Sequence, residues 1–440
     1  MKRQIDSFLE QWKNKPARKT LLLRGARQVG KTYSIRVLGK GFKYFLEINF
    51  ESDKAIHKFF NSDLKPNEIC KNLSVYYDVP IIDGETLLFF DEIQACLPAI
   101  SSLRFFYEKR PSLHVAAAGS LLEFAMEEIP SYGLGRINPI FMYPMSFNEF
   151  LWAINEEKLC LLKQDASPDN PLNPVFHTKL INYLKQFLLT GGLPEVVNTY
   201  IETNDLRQSQ IVLDELINGL DDDFAKYKKL VPVSWLRNVF EAVVVQSGNK
   251  FNYSKVSTNA NHQQLKEALN LLEMAGLVYK VTHTSANGLP LGAQLNHKKF
   301  KAILYDHGVF QKLLGLDLSN HLLATDFSAI NKGKLAEQFV GTELVKYSSF
   351  WSKPKLYYWH REKRGSMAEV DYIIQDNESI LPLEVKSGMQ GKMQSLWVFL
   401  REKNIQHGVR ISLENFSHYN SIKVFPLYAV DNILTKNKTL

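Results

Sequence analysis

Short apolar runs alternate with longer stretches of helical periodicity through the first third of the chain. Residues 20–23, Thr-Leu-Leu-Leu, read as a buried strand, followed by a glycine-bearing turn and a helix from about Lys31. Residues 44–49, 86–90 and 114–118 are further apolar runs of strand length. Strands interleaved with helices imply a largely parallel sheet covered on both faces, so the pattern predicts an α/β fold to about Pro144.

Beyond that point the pattern changes three times. Residues 165–174 (DASPDNPLNP) concentrate Pro, Asp and Asn and read as a loop. A mainly helical region follows from His177 to about Gln246, interrupted by the turn Gly191-Gly192-Leu193-Pro194. Helical segments at 253–258 and 263–275 then lead to an alternating run at 277–281, a loop at 285–291 and a strand-like run at 302–305. Helix, turn, helix and hairpin is the order of a winged helix. From about Gly333 a helix precedes strands at 355–360, 369–375 and 379–386, then a helix at 393–403 and closing strands. That is the layout of a separate small α/β domain. The expected divisions are therefore 1–150, 151–249, 250–332 and 333–440.

Composition narrows the class. A chain of 440 residues exceeds one hydrophobic core. With 45% hydrophobic and 22% charged residues it is neither collagenous, nor a disulfide scaffold, nor disordered. The net charge of +7 suits ordinary solubility as well as nucleic acid, and falls short of a dense basic patch. Cys70, Cys96 and Cys160 are far apart and form neither a disulfide framework nor a Cys-x-x-Cys zinc motif. The opening segment MKRQIDSFLEQWKNKP is amphipathic and lacks the apolar stretch of a secretory signal. No run reaches the roughly 18 uninterrupted apolar residues of a membrane helix. A cytoplasmic location with no membrane partner is expected.

The turn after the first strand carries chemistry. Gly25-Ala26-Arg27-Gln28-Val29-Gly30-Lys31-Thr32 fits G-x-x-x-x-G-K-[ST], directly after an apolar strand and opening a helix. The two glycines let backbone N–H groups turn inward around phosphates, and the helix start adds unsatisfied amides. In this P-loop reading Lys31 neutralises the β and γ phosphates of ATP, and the Thr32 hydroxyl ligates Mg²⁺. The run Leu87-Leu88-Phe89-Phe90-Asp91-Glu92 is an apolar strand ending in two carboxylates. Asp91 would hold the magnesium shell and Glu92 would polarise the attacking water, which favours an ATPase over a kinase.

Two positions keep two readings each. By likeness to AAA proteins, Ser120 falls where a polar residue senses the γ-phosphate, but it is also a good helix N-cap, with Glu123 three residues on. Arg136 is either an arginine finger or a sensor, acting within one chain or between subunits of an oligomer, or an exposed structural arginine.

On these motifs the chain resembles bacterial and archaeal AAA-type ATPases that carry a C-terminal domain of undefined function. The resemblance rests on G-A-R-Q-V-G-K-T, on F-F-D-E-I-Q, and on Gly135-Arg136 through Pro144-Met145-Ser146-Phe147-Asn148-Glu149-Phe150. It extends to Gly191-Gly192-Leu193-Pro194-Glu195 and, more loosely, to Tyr305-Asp306-His307-Gly308, which the family usually writes with Thr before the Gly. It implies a P-loop AAA-type sheet domain, a helical and winged-helix region, and a C-terminal domain similar to restriction-endonuclease folds. Such proteins often place Asn where this chain has Ser120.

The last domain holds a second candidate. Glu369 and Asp371 share one strand face, as do Glu384 and Lys386, and pairing in register would bring them together. Glu337, on the helix expected over 334–345, would complete the group. The arrangement resembles the metal site of PD-(D/E)xK nucleases. On that resemblance Asp371 and Glu384 bind Mg²⁺, Glu337 is an accessory ligand, and Lys386 stabilises charge or orients water. A solvated hairpin face is the alternative, although Ile380, Leu381, Leu383 and Val385 make the second strand apolar enough to be central.

In the winged-helix segment, Gln263, Gln264, Lys266 and Asn270 are expected on the exposed face of the recognition helix, with Leu265, Leu269 and Leu272 buried. That helix is only weakly basic and serves DNA or a protein partner equally well. Two functions remain open: an ATPase coupled to DNA binding or processing, and a nucleotide-dependent switch that recruits a protein.

Overall fold

Each apolar run of the first third becomes a strand of one sheet: β1 (Thr20–Arg24), β2 (Tyr44–Asn49), β3 (Thr86–Asp91) and β4 (His114–Ala118), joined by β5 (Ile137–Phe141). The computed structural model describes residues 1–16, 18–60, 63–120, 122–127, 129, 135–226, 231–256, 261–315, 332–362, 368–376, 378–388 and 393–434. The strand order is β2-β3-β4-β1-β5, and every neighbouring pair is parallel. Leu21, Leu22 and Leu23 are wholly buried, as a parallel strand covered on both faces requires. β5 escapes the hydrophobic pattern because Asn138 and Pro139 interrupt it. It pairs with β1 at the end of the sheet order, where a proline without an N–H is tolerated. Because all strands run one way, the ends of β1, β3 and β4 open on a single edge, where ligands of open α/β sheets bind.

Contacts divide the chain into two compact units: Met1–Tyr143 with Ser349–Lys353, and Pro144–Ser348 with Pro354–Leu440. In the second unit the helices Pro174–Thr190, Pro194–Thr203, Leu206–Lys226 and Val233–Val245 precede an eight-stranded mixed sheet. Its strands are β6 (Val278–Thr284), β7 (Leu295–Leu304), β8 (Leu356–His360), β9 (Glu369–Asp376), β10 (Ser379–Val385), β11 (Gly408–Ser412), β12 (Ser417–Tyr419) and β13 (Ile422–Pro426), in the order β12-β13-β11-β10-β9-β8-β6-β7.

The hairpin expected as a wing and the strands expected in the terminal domain are neighbours in this one sheet. β6 and β7 do pair as an antiparallel hairpin, but the other edge of β6 pairs in parallel with β8. An uncovered strand edge leaves a row of unpaired N–H and C=O groups, and β8 supplies their partners. The helix expected at 253–258 is a single 3-10 turn, Tyr253–Lys255, and residues 257–260 lie outside the described residues. The recognition-helix candidate is present as His262–Met274, with Asn261 capping it through a 2.9 Å bond from the Gln263 amide. Gln263, Gln264 and Lys266 are exposed and Leu265, Leu269 and Leu272 buried, but Asn270 is half-buried and accepts a bond from Lys280 at 3.1 Å. β10 lies between β9 and β11, the central position its apolar residues suggested.

Candidate functional site

The end of β1 leads into a loop whose backbone few residues tolerate. Gly25 has φ 139°, Gln28 φ 64°, and Gly30 caps the helix Lys31–Gly39 at φ 94°. A Cβ on Gly25 would sit 2.1 Å from the Met142 carbonyl oxygen, so the turn admits no side chain there. Arg3, buried and far away in sequence, braces the loop: its guanidinium donates to the carbonyls of Val29 and Tyr143, each at 2.7 Å. Nothing local to the N-terminal segment signals this role, since the two partners lie 26 and 140 residues on.

Lys31 is buried, and its ammonium folds back onto the carbonyls of Gly25 at 2.9 Å and Ala26 at 2.7 Å. Burial lowers its pKa to about 8, against the opposing pull of Glu92 and Asp91. The Thr32 hydroxyl donates to the Asp91 carboxylate, 3.2 and 3.3 Å from its two oxygens. Burial, followed by the charge of Glu92, raises Asp91 to about 6, while the Thr32 bond works the other way. A desolvated carboxylate beside a threonine hydroxyl is an oxygen pair that a hard divalent cation would stabilise.

Glu92 follows with a left-handed backbone, φ 47° and ψ 43°. For a non-glycine residue this costs on the order of 1–3 kcal/mol, strain that gathers at functional positions. Gln94 donates to one Glu92 oxygen at 2.5 Å, and the Ser120 hydroxyl donates to the same oxygen at 3.4 Å. Gln94 was visible in the F-F-D-E-I-Q run but received no role there. Ser120 therefore touches Glu92, whereas Glu123, which a capping box would need, is drawn to Arg24 and Lys353. Arg136, in the turn before β5, is half exposed and pairs with Glu108 of the helix Leu97–Lys109.

In the second unit β9 and β10 pair with Leu383 opposite Tyr372, so Asp371 and Glu384 meet on adjacent strands. Asp371 accepts the Val385 amide at 2.8 Å, and Lys386 donates to Glu384 at 2.6 Å. Sequence reasoning missed the residue at the centre. Lys301, on β7 and 1% exposed, lies 2.8 Å from Glu337, 2.5 Å from Glu369 and 3.7 Å from Asp371. These three carboxylates hold its pKa well above the ordinary lysine value despite burial. Burial raises Glu337 and Glu384 to about 7 each, and Lys301 and Lys386, respectively, counter it. An ammonium thus stands among the carboxylates expected to hold a metal. Among the described residues, His283, His360 and Glu362 bring their ligand atoms within 4.8 Å of one another. One oxygen of Glu384 is buried without a hydrogen-bond partner.

Among the described residues, no helix is long and apolar enough to cross a membrane. The family described as AAA domain matches residues 17–151. Two domains of unknown function, DUF8612 and DUF4143, match residues 181–320 and 332–430. Comparison with curated proteins gives no match. Among solved structures, the Walker-type ATPase PABY2304 of Pyrococcus abyssi is 14% identical, with 71% of this chain and 95% of that one covered and a TM-score of 0.44. The Aeropyrum pernix ORC1 protein, solved in complex with DNA, is 12% identical over 74% and 95%, with a TM-score of 0.29. Both likenesses are too distant to bear on function. The family match, the parallel sheet and the loop geometry agree: the N-terminal part of this chain carries the P-loop fold of AAA-type ATPases.

Proposed function

We propose that the first unit binds ATP with Mg²⁺ and hydrolyses it to ADP and phosphate, and that turnover is coupled to DNA binding or processing by the second unit. The observation that carries the hydrolytic reading is the contact of Thr32 with Asp91, 59 residues apart in sequence, with Glu92 next in the chain. Thr32 and Asp91 would hold Mg²⁺, which supplies neutralising charge at the phosphates. The amides from Gly25 to Thr32 bind the triphosphate tail. Lys31 exchanges the carbonyls of Gly25 and Ala26 for phosphate oxygens, a small reorientation of a side chain already inside the loop. Glu92 takes the proton of the attacking water through the oxygen that Gln94 and Ser120 leave free. Arg136 would serve as a finger only after leaving Glu108, which favours delivery to a neighbouring subunit's nucleotide.

For the second unit, Gln263, Gln264 and Lys266 form an exposed DNA-facing helix edge, while Asp371, Glu384 and Lys386 are the nuclease-like set. A specific observation favours the second reading, a switch that recruits a protein through a nuclease-like unit without cleavage: the Lys301 ammonium already stands among Glu337, Glu369 and Asp371, where a metal ion would sit. ATP turnover and nicking of supercoiled DNA, measured with Mg²⁺ in wild type, Lys31→Ala, Glu92→Gln and Asp371→Ala, test both. Hydrolysis lost in the first two variants and stimulated by DNA in wild type supports the coupled enzyme; nicking lost in Asp371→Ala supports cleavage. Turnover unmoved by DNA, with no nicking, leaves the switch. Undiminished hydrolysis in Lys31→Ala and Glu92→Gln would overturn the hydrolytic assignment.

A further inference from the structure

His283, His360 and Glu362 stand outside both clusters described above, yet their ligand atoms lie within 4.8 Å of one another. The fold brings them together from distant parts of the chain. β6 and β8 pair in parallel with His283 opposite Tyr358, and His360 closes β8 two residues further on. The pairing of β6 with β7 shifts register between Thr282 and His283, a bulge of the kind that re-aims a side chain. The two imidazoles are 4.4 Å apart between ring centres, and Glu362 follows directly beyond the strand.

The hydrogen bonding of the rings is unfinished in a way that points to a ligand. His283 is 2% exposed; its Nε2 meets the His360 carbonyl oxygen at 3.3 Å, which assigns the proton to Nε2 and the lone pair to Nδ1. That Nδ1 is buried and has no hydrogen-bond partner, and the same holds for Nδ1 of His360. A ring held by one N–H to a backbone carbonyl, with its other nitrogen bare, is the usual state of a metal-binding histidine. Burial lowers the proton affinity of both rings, which keeps them in the neutral, ligating form near pH 7.

We propose that His283, His360 and Glu362 bind one divalent transition-metal ion of the zinc type. Two imidazoles and one carboxylate suit zinc or cobalt rather than magnesium or calcium, which prefer sets made wholly of oxygen. Glu362 is exposed, so a fourth position is open to water. The ion clasps the end of β6 to the end of β8, the seam at which the hairpin joins the strands that follow. Its competitor is Lys299, whose ammonium occupies one Glu362 oxygen at 2.6 Å.

The test uses untagged full-length protein, stripped with a chelator and titrated with Co²⁺ without nucleotide, then with Zn²⁺. One Co²⁺ per chain with visible ligand-field absorption, displaced by one Zn²⁺, is expected. His360→Gln and Glu362→Gln should each weaken binding at least about tenfold, the scale on which even outer-shell changes act. Lys299→Met, which removes the competing ammonium, should tighten it, and Asp371→Ala should leave it unchanged. Because buried His283 is the position at which a substitution risks the fold, the exposed Glu362 and the strand-end His360 carry the test. No stoichiometric cobalt binding, or binding that survives His360→Gln and Glu362→Gln, overturns the proposal, as does a signal lost in Asp371→Ala alone.

Discussion

Replacing Lys301 with methionine is the sharpest probe of how the second unit is held together. The ammonium is 1% exposed and meets Glu337, Glu369 and Asp371. Methionine keeps a stem of similar length and removes the ammonium, its charge and its N–H donors together. Breaking a buried ion pair from one side costs about 3–5 kcal/mol, because the partner charges stay behind without compensation. At roughly 2 °C per kcal/mol for a body of this size, the melting temperature of the second unit should fall by about 6–10 °C at pH 8. The pH dependence makes the reasoning specific. In the wild type Glu337 and Glu384 already titrate near 7 in the folded chain, above the 4.5 of an unperturbed glutamate. A carboxyl raised on folding contributes stability that is whole below its unfolded pKa and is lost as pH rises through the folded one. Stability of this unit should therefore decline between about pH 4.5 and pH 7. Without Lys301 the neighbouring carboxyls rise further, so the deficit should be largest at pH 8 and shrink towards pH 5, where they bind protons instead. Differential scanning calorimetry at the two pH values reads this directly. A loss below about 1 kcal/mol at pH 8, or an equal loss at both, would refute the account of Lys301 as the counter-ion of the cluster.

The remaining expectations concern the first unit. Glu92→Gln should retain ATP binding by calorimetry while lowering turnover about 10²–10⁴-fold, the usual contribution of a positioned base. Gly25→Ala should abolish nucleotide binding, because the added carbon meets the Met142 carbonyl at 2.1 Å and the φ of 139° strains it; equilibrium binding of a fluorescent ATP analogue decides. Thr32→Ala should raise the Mg²⁺ concentration needed for half-maximal turnover, since only Asp91 would then remain of the pair. Gln94→Ala should lower kcat with little change in KM, because its side chain donates to Glu92 rather than to the phosphate loop.

How far each site was legible depended on how local its requirements are. The P-loop is eight contiguous residues between a strand and a helix, and its acidic partners end an apolar run, so both could be read directly. The meeting of Asp371 with Glu384 was also within reach, because a short hairpin fixes its own register. Lys301 was not. In the run Leu-Asn-His-Lys-Lys-Phe-Lys of β7 it is one of three lysines, and nothing local distinguishes it from Lys298, exposed, or Lys299, paired with Glu362. What buries it is the pairing of β6 with β8, which joins residues about 75 positions apart and carries β7 to the carboxylates of β9. The same pairing set the expected wing hairpin beside the strands that follow it and brought His283 to His360. A strand's alternation states which face is buried, but not which strand will cover its edge. Chemistry that lies across such a seam becomes visible only once the sheet is assembled, and three of the features argued above, Lys301, the embedded hairpin and the histidine pair, depend on that one seam.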